Sequence, residues 1–314
     1  MQSHHKVDWR VLKGFGLHRN GSALGLRKVA PRSASVLAML FVTLVQLAYA
    51  SPFTPGNILV SVYDRAVVYE YTPSGVRVQT IPVPYPGVNY GSEYVRDLVV
   101  GPDGNLHVYN GTFDPYLSTY NPYTSTWVHR TYPGWSTANV VGIGGITAYQ
   151  QFVYVTDMFT FGNGGQDVAR GIVRFNLADS SGVRFADTIE FIDLVLGWDG
   201  LLYALDATQR VYVYDPVNLN LLRRITLSRS VRAIAVNAAG EIFGVPLFDP
   251  VIYRFNQNGT VVDSLNTGFN YMTDIDLSVD GKIVVGSWFG NVFLTDESLD
   301  QFSRFFIGEE RTLF

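Results

Sequence analysis

DLVVGPDGNLHVYN at 97–110, DLVLGWDGLLYALD at 193–206, AIAVNAAGEIFGVP at 233–246 and DIDLSVDGKIVVGS at 274–287 superpose without a gap. Each reads as an apolar strand, a tight turn and a second apolar strand. The turn closes on Asp103-Gly104, Asp199-Gly200, Ala239-Gly240 or Asp280-Gly281, where glycine admits the positive φ that a hairpin turn demands. A single hairpin of this kind cannot bury both of its faces, so its recurrence predicts a closed or stacked array.

A third strand with an aromatic pattern and a polar turn follows each hairpin: VVYEYTPSG at 67–75, LSTYNPYTS at 117–125, IVRFNLADS at 172–180, VYVYDPVNL at 211–219 and VIYRFNQNG at 251–259. A fourth comes next, as in RVQTIPV at 77–83 and LLRRITL at 221–227. Four antiparallel strands in a unit of about 40 to 50 residues make the blade of a β-propeller. The turn markers Gly56, Gly104, Gln151, Gly200, Gly240 and Gly281 predict an all-β, six-bladed ring; a seven-bladed ring with a degenerate blade within 130–190 is the alternative. Only SPFTPG at 51–56 separates the apolar segment at 36–50 from the first blade's NILVSVYD at 57–64, so that blade lacks an innermost strand, while GEERTLF at 308–314 is left over at the other end. The expectation is a ring closed by the C-terminal strand beside the first blade, which removes an exposed sheet edge.

This order of strand, Asp-Gly turn, strand and aromatic-Asp turn resembles the NHL-repeat and regucalcin or gluconolactonase-like propellers, across nearly all of residues 51–314. The resemblance implies a fold shared by binding proteins and enzymes alike. Gluconolactonase-like enzymes place a divalent metal on Glu, Asn and Asp at the channel mouth, and no set here matches residue by residue.

The run VLAMLFVTLVQLAYA at 36–50 follows Arg27, Lys28 and Arg32 and ends in Ala48-Tyr49-Ala50, the arrangement of a secretory signal. It is shorter than the roughly 20 apolar residues of a membrane span. Residues 1–50 are therefore expected to be signal peptide and leader, with 51–314 a single propeller domain that is secreted or periplasmic, has no stable membrane span after cleavage, and is monomeric. Seven of the 23 basic residues but only one of the 27 acids lie in that leader, so 51–314 carries a formal charge of −10 and a single lysine, Lys282. Such a surface excludes nucleic acid as a partner. With no cysteine, neither disulfides nor thiolate metal sites are available, and packing must supply the stability.

The loops divide by composition. One set, between first and second or third and fourth strands, is short and polar: Pro102-Asp103-Gly104, Ser74-Gly75, Asn258-Gly259. The opposite set is longer and aromatic, with PYPGVNYGSEY at 84–94, FDPY at 113–116, YPGW at 132–135, DMFTFGNGGQD at 157–167, LFDP at 247–250, FNYM at 269–272 and SWFG at 287–290. Rings gathered on one face point to recognition of a glycan or protein, or else to plugs between blades. The ligand-binding anchors expected there are Tyr90, Trp135, Tyr271 and Trp288.

Asp97, Asp193 and Asp274 share one repeat position at the start of the innermost strands, with Arg96 and Arg232 one residue before it and Ala233 breaking the series. Three acids lining a channel make Ca²⁺ or Mg²⁺ a candidate cofactor. Recurrence favours a structural use, in which each acid satisfies backbone donors at a strand entry. The loop at 161–171 does not have the spacing of a calcium loop. His107 and His129 have no evident pairing with a nucleophile, and no serine elbow, H-E-x-x-H or phosphate loop is present, so no catalytic residue is assigned. The balance favours a binding or scaffold propeller over an enzyme; a metal-dependent lactonase or lyase using the Asp97, Asp193 and Asp274 ring is the alternative.

Overall fold

A computed structural model describes residues 7–11, 53–62, 65–84, 95–110, 115–133, 144–159, 168–278 and 280–308. Its strands form six four-stranded antiparallel sheets, each named here from the axis outward. Blade 1 holds β1 (Val7–Val11), β2 (Ile58–Val62), β3 (Val67–Tyr71) and β4 (Arg77–Pro82). Blade 2 holds β5 (Val95–Val100), β6 (Leu106–Asn110), β7 (Tyr116–Asn121) and β8 (Thr126–Arg130). Blade 3 comprises β9 (Ile146–Tyr149), β10 (Phe152–Phe159), β11 (Val168–Asn176) and β12 (Gly182–Phe185). Blade 4 comprises β13 (Phe191–Leu196), β14 (Leu202–Asp206), β15 (Arg210–Tyr214) and β16 (Leu221–Thr226). In blade 5 these are β17 (Ala233–Val236), β18 (Ile242–Val245), β19 (Val251–Phe255) and β20 (Val261–Asn266). In blade 6 they are β21 (Met272–Leu277), β22 (Lys282–Ser287), β23 (Asn291–Asp296) and β24 (Ser303–Phe306).

The six-bladed propeller predicted from the repeat is what forms. Its turn geometry repeats with it: Gly104, Gly200, Gly240 and Gly281 take positive φ between first and second strands, and in blade 3 Gln150 does so, one residue before the expected marker Gln151. At the turns between third and fourth strands, Gly259 has φ +81° and a Cβ there would lie 2.2 Å from the Thr226 carbonyl oxygen, so no side chain fits.

Burial falls from the axis outward. Strands β5, β14 and β21 are buried almost throughout, whereas β4 and β16 each bury one residue, Ile81 and Ile225. The core is therefore made of the six seams where blades face each other. Val195, Tyr203 and Val213 of blade 4 meet Ile234, Ile242 and Phe255 of blade 5, and Ala235, Phe243 and Val245 meet Ile275, Ile283 and Phe293 of blade 6. Val284 and Val292 pack on Ile58, Val60 and Tyr69, which brings blade 6 against blade 1.

The closure expected from the sequence is corrected. The innermost strand of blade 1 is β1, paired antiparallel with β2 from Val7↔Val62 to Val11↔Ile58. It neighbours β21 on one side and β5 on the other, completing the ring of inner strands. Val-Asp-Trp-Arg-Val alternates apolar and charged residues over the full length of β2, as a strand should. GEERTLF instead opens with glycine and three consecutive charges, which suits a buried inner position poorly. Residues 309–314 lie outside the described residues. So does the segment at 36–50, and no helix among the described residues is long and apolar enough to cross a membrane.

Candidate binding face and channel

Asp97, Asp193 and Asp274 stand at one repeat position on the inner strands β5, β13 and β21. The Asp97 carboxylate accepts the Leu98 N–H at 2.7 Å through Oδ1 and the Ile146 N–H of blade 3 at 2.8 Å through Oδ2. Asp193 repeats the second bond, accepting the Ile234 N–H of blade 5 at 2.7 Å. Asp274 accepts the Ile275 N–H at 2.9 Å. Blade 3 carries Gly145 here, where a Cβ would stand 2.5 Å from the Leu194 nitrogen, and its bridging role passes to Thr147, whose hydroxyl accepts the Leu196 N–H at 3.1 Å. Arg96 is wholly buried beside these acids, and Arg232 is half-buried. Carboxylate oxygens used in this way tie blade to blade. Among the described residues no group of three or more His, Asp or Glu side chains is placed to hold a metal ion.

Three loops of blades 5 and 6 meet on the aromatic face. Phe248, between β18 and β19, is 69% exposed, and Tyr271, entering β21, is 38% exposed. The Phe248 ring meets the Tyr271 ring edge-on at 5.9 Å and 77°, and Tyr271 meets Phe289 at 5.2 Å and 82°, forming a ladder of three rings. The backbone beneath it is fixed. Tyr271 donates its N–H to the Leu247 carbonyl at 2.7 Å and accepts the Trp288 N–H at 2.8 Å, so one residue joins all three loops. It does so at φ +61°, a left-handed conformation that costs a tyrosine energy and persists because these contacts impose it. Trp288 is half-buried next to Phe289.

Other rings of these loops plug seams instead. Phe269 packs on Phe293 at 5.3 Å with the Arg304 guanidinium 4.4 Å above it, and Tyr132 covers Gly182 and Arg184. Of the four anchors expected from sequence, Tyr271 and Trp288 stand together on this patch, while Tyr90 and Trp135 lie outside the described residues. Phe248 and Phe289 escape a reading that favours Trp and Tyr. The signal for Phe248 is position: Pro246 and Pro250 bracket its tip and stiffen it away from the core.

The opposite face is polar. The buried His107 shares a hydrogen bond of 3.1 Å between Nδ1 and the Thr119 hydroxyl, and its Nε2 lies 3.5 Å from Asp103 Oδ1, a pairing the sequence does not disclose. Burial acts to raise the Asp103 pKa, but His107 and the Asn105 donors outweigh it and hold the carboxyl at about 2. His129 bonds the Ser118 hydroxyl at 2.8 Å, and burial lowers its pKa. A cleft of about 800 Å³ opens on this face between blades 6 and 1, over Ile58, Val284 and Phe302, with Asp280, Lys282 and Asp296 at its rim. Near the axis, the Trp198 indole N–H reaches across blade 5 to the Leu277 carbonyl of blade 6 at 2.9 Å, while its backbone N–H bonds Val236.

No family model and no curated protein matches the chain. Among solved structures, the catalytically inactive virginiamycin B lyase from Staphylococcus aureus with quinupristin is similar, at 13% identity and a TM-score of 0.55 over 81% of this chain and 82% of that one. U3-55K is similar at 14% identity and 0.53, over 80% and 77%, and the RRP9 WD40 repeats at 13% and 0.53, over 80% and 76%. At such identities the likeness is one of fold. It extends to an enzyme and to WD40 propellers alike.

Proposed function

We propose that this protein is an extracytoplasmic binding or scaffold propeller that engages a glycan or protein ligand through the aromatic face of blades 5 and 6. The supporting observation is the ladder of the exposed Phe248 and Tyr271 with the half-buried Phe289, held rigid by the two backbone hydrogen bonds of Tyr271. Rings presented without a loop-ordering cost are the usual anchors of recognition. Exposed rings at Phe248 and Tyr271 suit an extended glycan or a protein surface. Tyr90 and Trp135 belong to the same loop set by sequence and are proposed as further anchors, although they lie outside the described residues. The leader-like run at 36–50 supports export.

The channel favours this reading over a metal-dependent lactonase or lyase, because both Asp97 oxygens already accept backbone donors. The test is a glycan array and a pull-down with the full chain, followed by Phe248→Ala and Tyr271→Gly. Loss of an anchor ring should cost on the order of 2 kcal/mol, roughly thirtyfold in Kd. Asp199→Asn on the opposite face, where Asp199 accepts the Tyr203 hydroxyl, should bind as the parent does. Equal loss in that control, or binding untouched by both ring variants, would overturn the assignment.

A further inference from the structure

In blades 2, 4, 5 and 6 a short turn of four or five residues feeds the first strand directly into the second. Blade 3 does it in two. Blade 1 does not: β1 ends at Val11 and β2 begins at Ile58. Yet the turn that should precede β2 is present. Asn57 donates its N–H to the Thr54 carbonyl at 3.0 Å, Gly56 takes φ +86°, and Phe53 is buried against the seam with blade 2. The buried Glu70 of β3 fixes this turn, accepting the Thr54 N–H at 2.9 Å and the Asn57 side-chain amide at 2.7 Å. The edge of β2 is thus built and anchored by contacts that do not involve β1. The strand that fills it comes from a distant part of the chain.

We infer that the inner edge of β2 is a strand-acceptor site, in which β1 sits as a separable insert held by main-chain pairing, and which takes an extended peptide with apolar residues at alternate positions. Such augmentation draws affinity from the backbone ladder and specificity from every second residue. The site lies between β5 and β21, the neighbours that β1 touches in the ring. It also couples to the leader: processing after Ala50 would remove β1 and vacate the edge.

The experiment uses the full chain with a specific protease site introduced near residue 24, so that the apolar run at 36–50 stays with the ring after cutting. The fragment carrying 7–11 is expected to co-elute with the ring under native conditions. Unfolding the cut protein in urea and refolding it with excess labelled peptide of sequence 5–13 should replace that fragment one for one. The same peptide with Pro at position 9 or 10 should bind at least about tenfold more weakly, since proline removes a ladder donor. Release of the fragment with no change in melting temperature would overturn the inference. So would absence of peptide uptake on refolding, or equal uptake of the proline peptides. Because the aromatic face is assayed separately, failure here leaves the binding proposal standing, and the converse holds.

Discussion

Tyr271 carries two opposed effects that substitution separates. A left-handed residue with a side chain is strained by roughly 1 to 2 kcal/mol relative to glycine, while its edge-on ring pairs return about 0.5 to 1.5 kcal/mol each. Tyr271→Gly should therefore leave the melting temperature within a few degrees of the parent while weakening ligand capture roughly thirtyfold; a collapse in stability would show that the ring serves packing alone. Asp103 offers a titration. Its folded pKa of about 2 lies below the ordinary 3.8, so the stability it contributes is complete above pH 3.8 and is lost as the pH falls toward 2. His107→Phe should move the carboxyl resonance midpoint of Asp103 upward toward 3.8 and flatten the acid limb of the stability curve in that window. An unmoved midpoint would mean that Asn105 alone holds the charge.

Between elements, the bonds that matter cross the seams. Tyr109 donates its hydroxyl to the Thr156 carbonyl of blade 3 at 3.2 Å, Tyr71 reaches the Ile307 carbonyl at 3.0 Å, and Tyr154 reaches Pro216 of blade 4. Asp97→Ala strands two buried amide donors and should cost about 1 to 3 kcal/mol per donor in urea unfolding, whereas Asp97→Asn keeps an acceptor and should cost less. Equal losses would mean that charge, rather than hydrogen bonding, holds the seam. The repeat was legible because a turn at Asp103-Gly104 or Asp199-Gly200 and an alternating strand are local facts of sequence. Which neighbour an acid ties was not legible, because the partners Ile146 and Ile234 lie 49 and 41 residues away. The same holds for the aromatic face: its loops were visible, but whether Phe269 hides and Phe248 protrudes depends on packing against blade 6.

At the scale of the molecule, the missed strand has the same origin. Five residues at 7–11 carry too short a pattern to be recognised far from the blade they complete. A closed ring shares each seam between two blades, so Trp9→Pro or Arg10→Pro should lower the melting temperature of the entire protein in one transition instead of melting blade 1 alone. A second, earlier transition would show blade 1 to be an independent unit. The Trp198 indole is laid from blade 4 across to blade 6. Held at both its backbone and its indole nitrogen, the ring ties blades 4, 5 and 6 at a single point, so that a strain on any one of the three is felt by the other two.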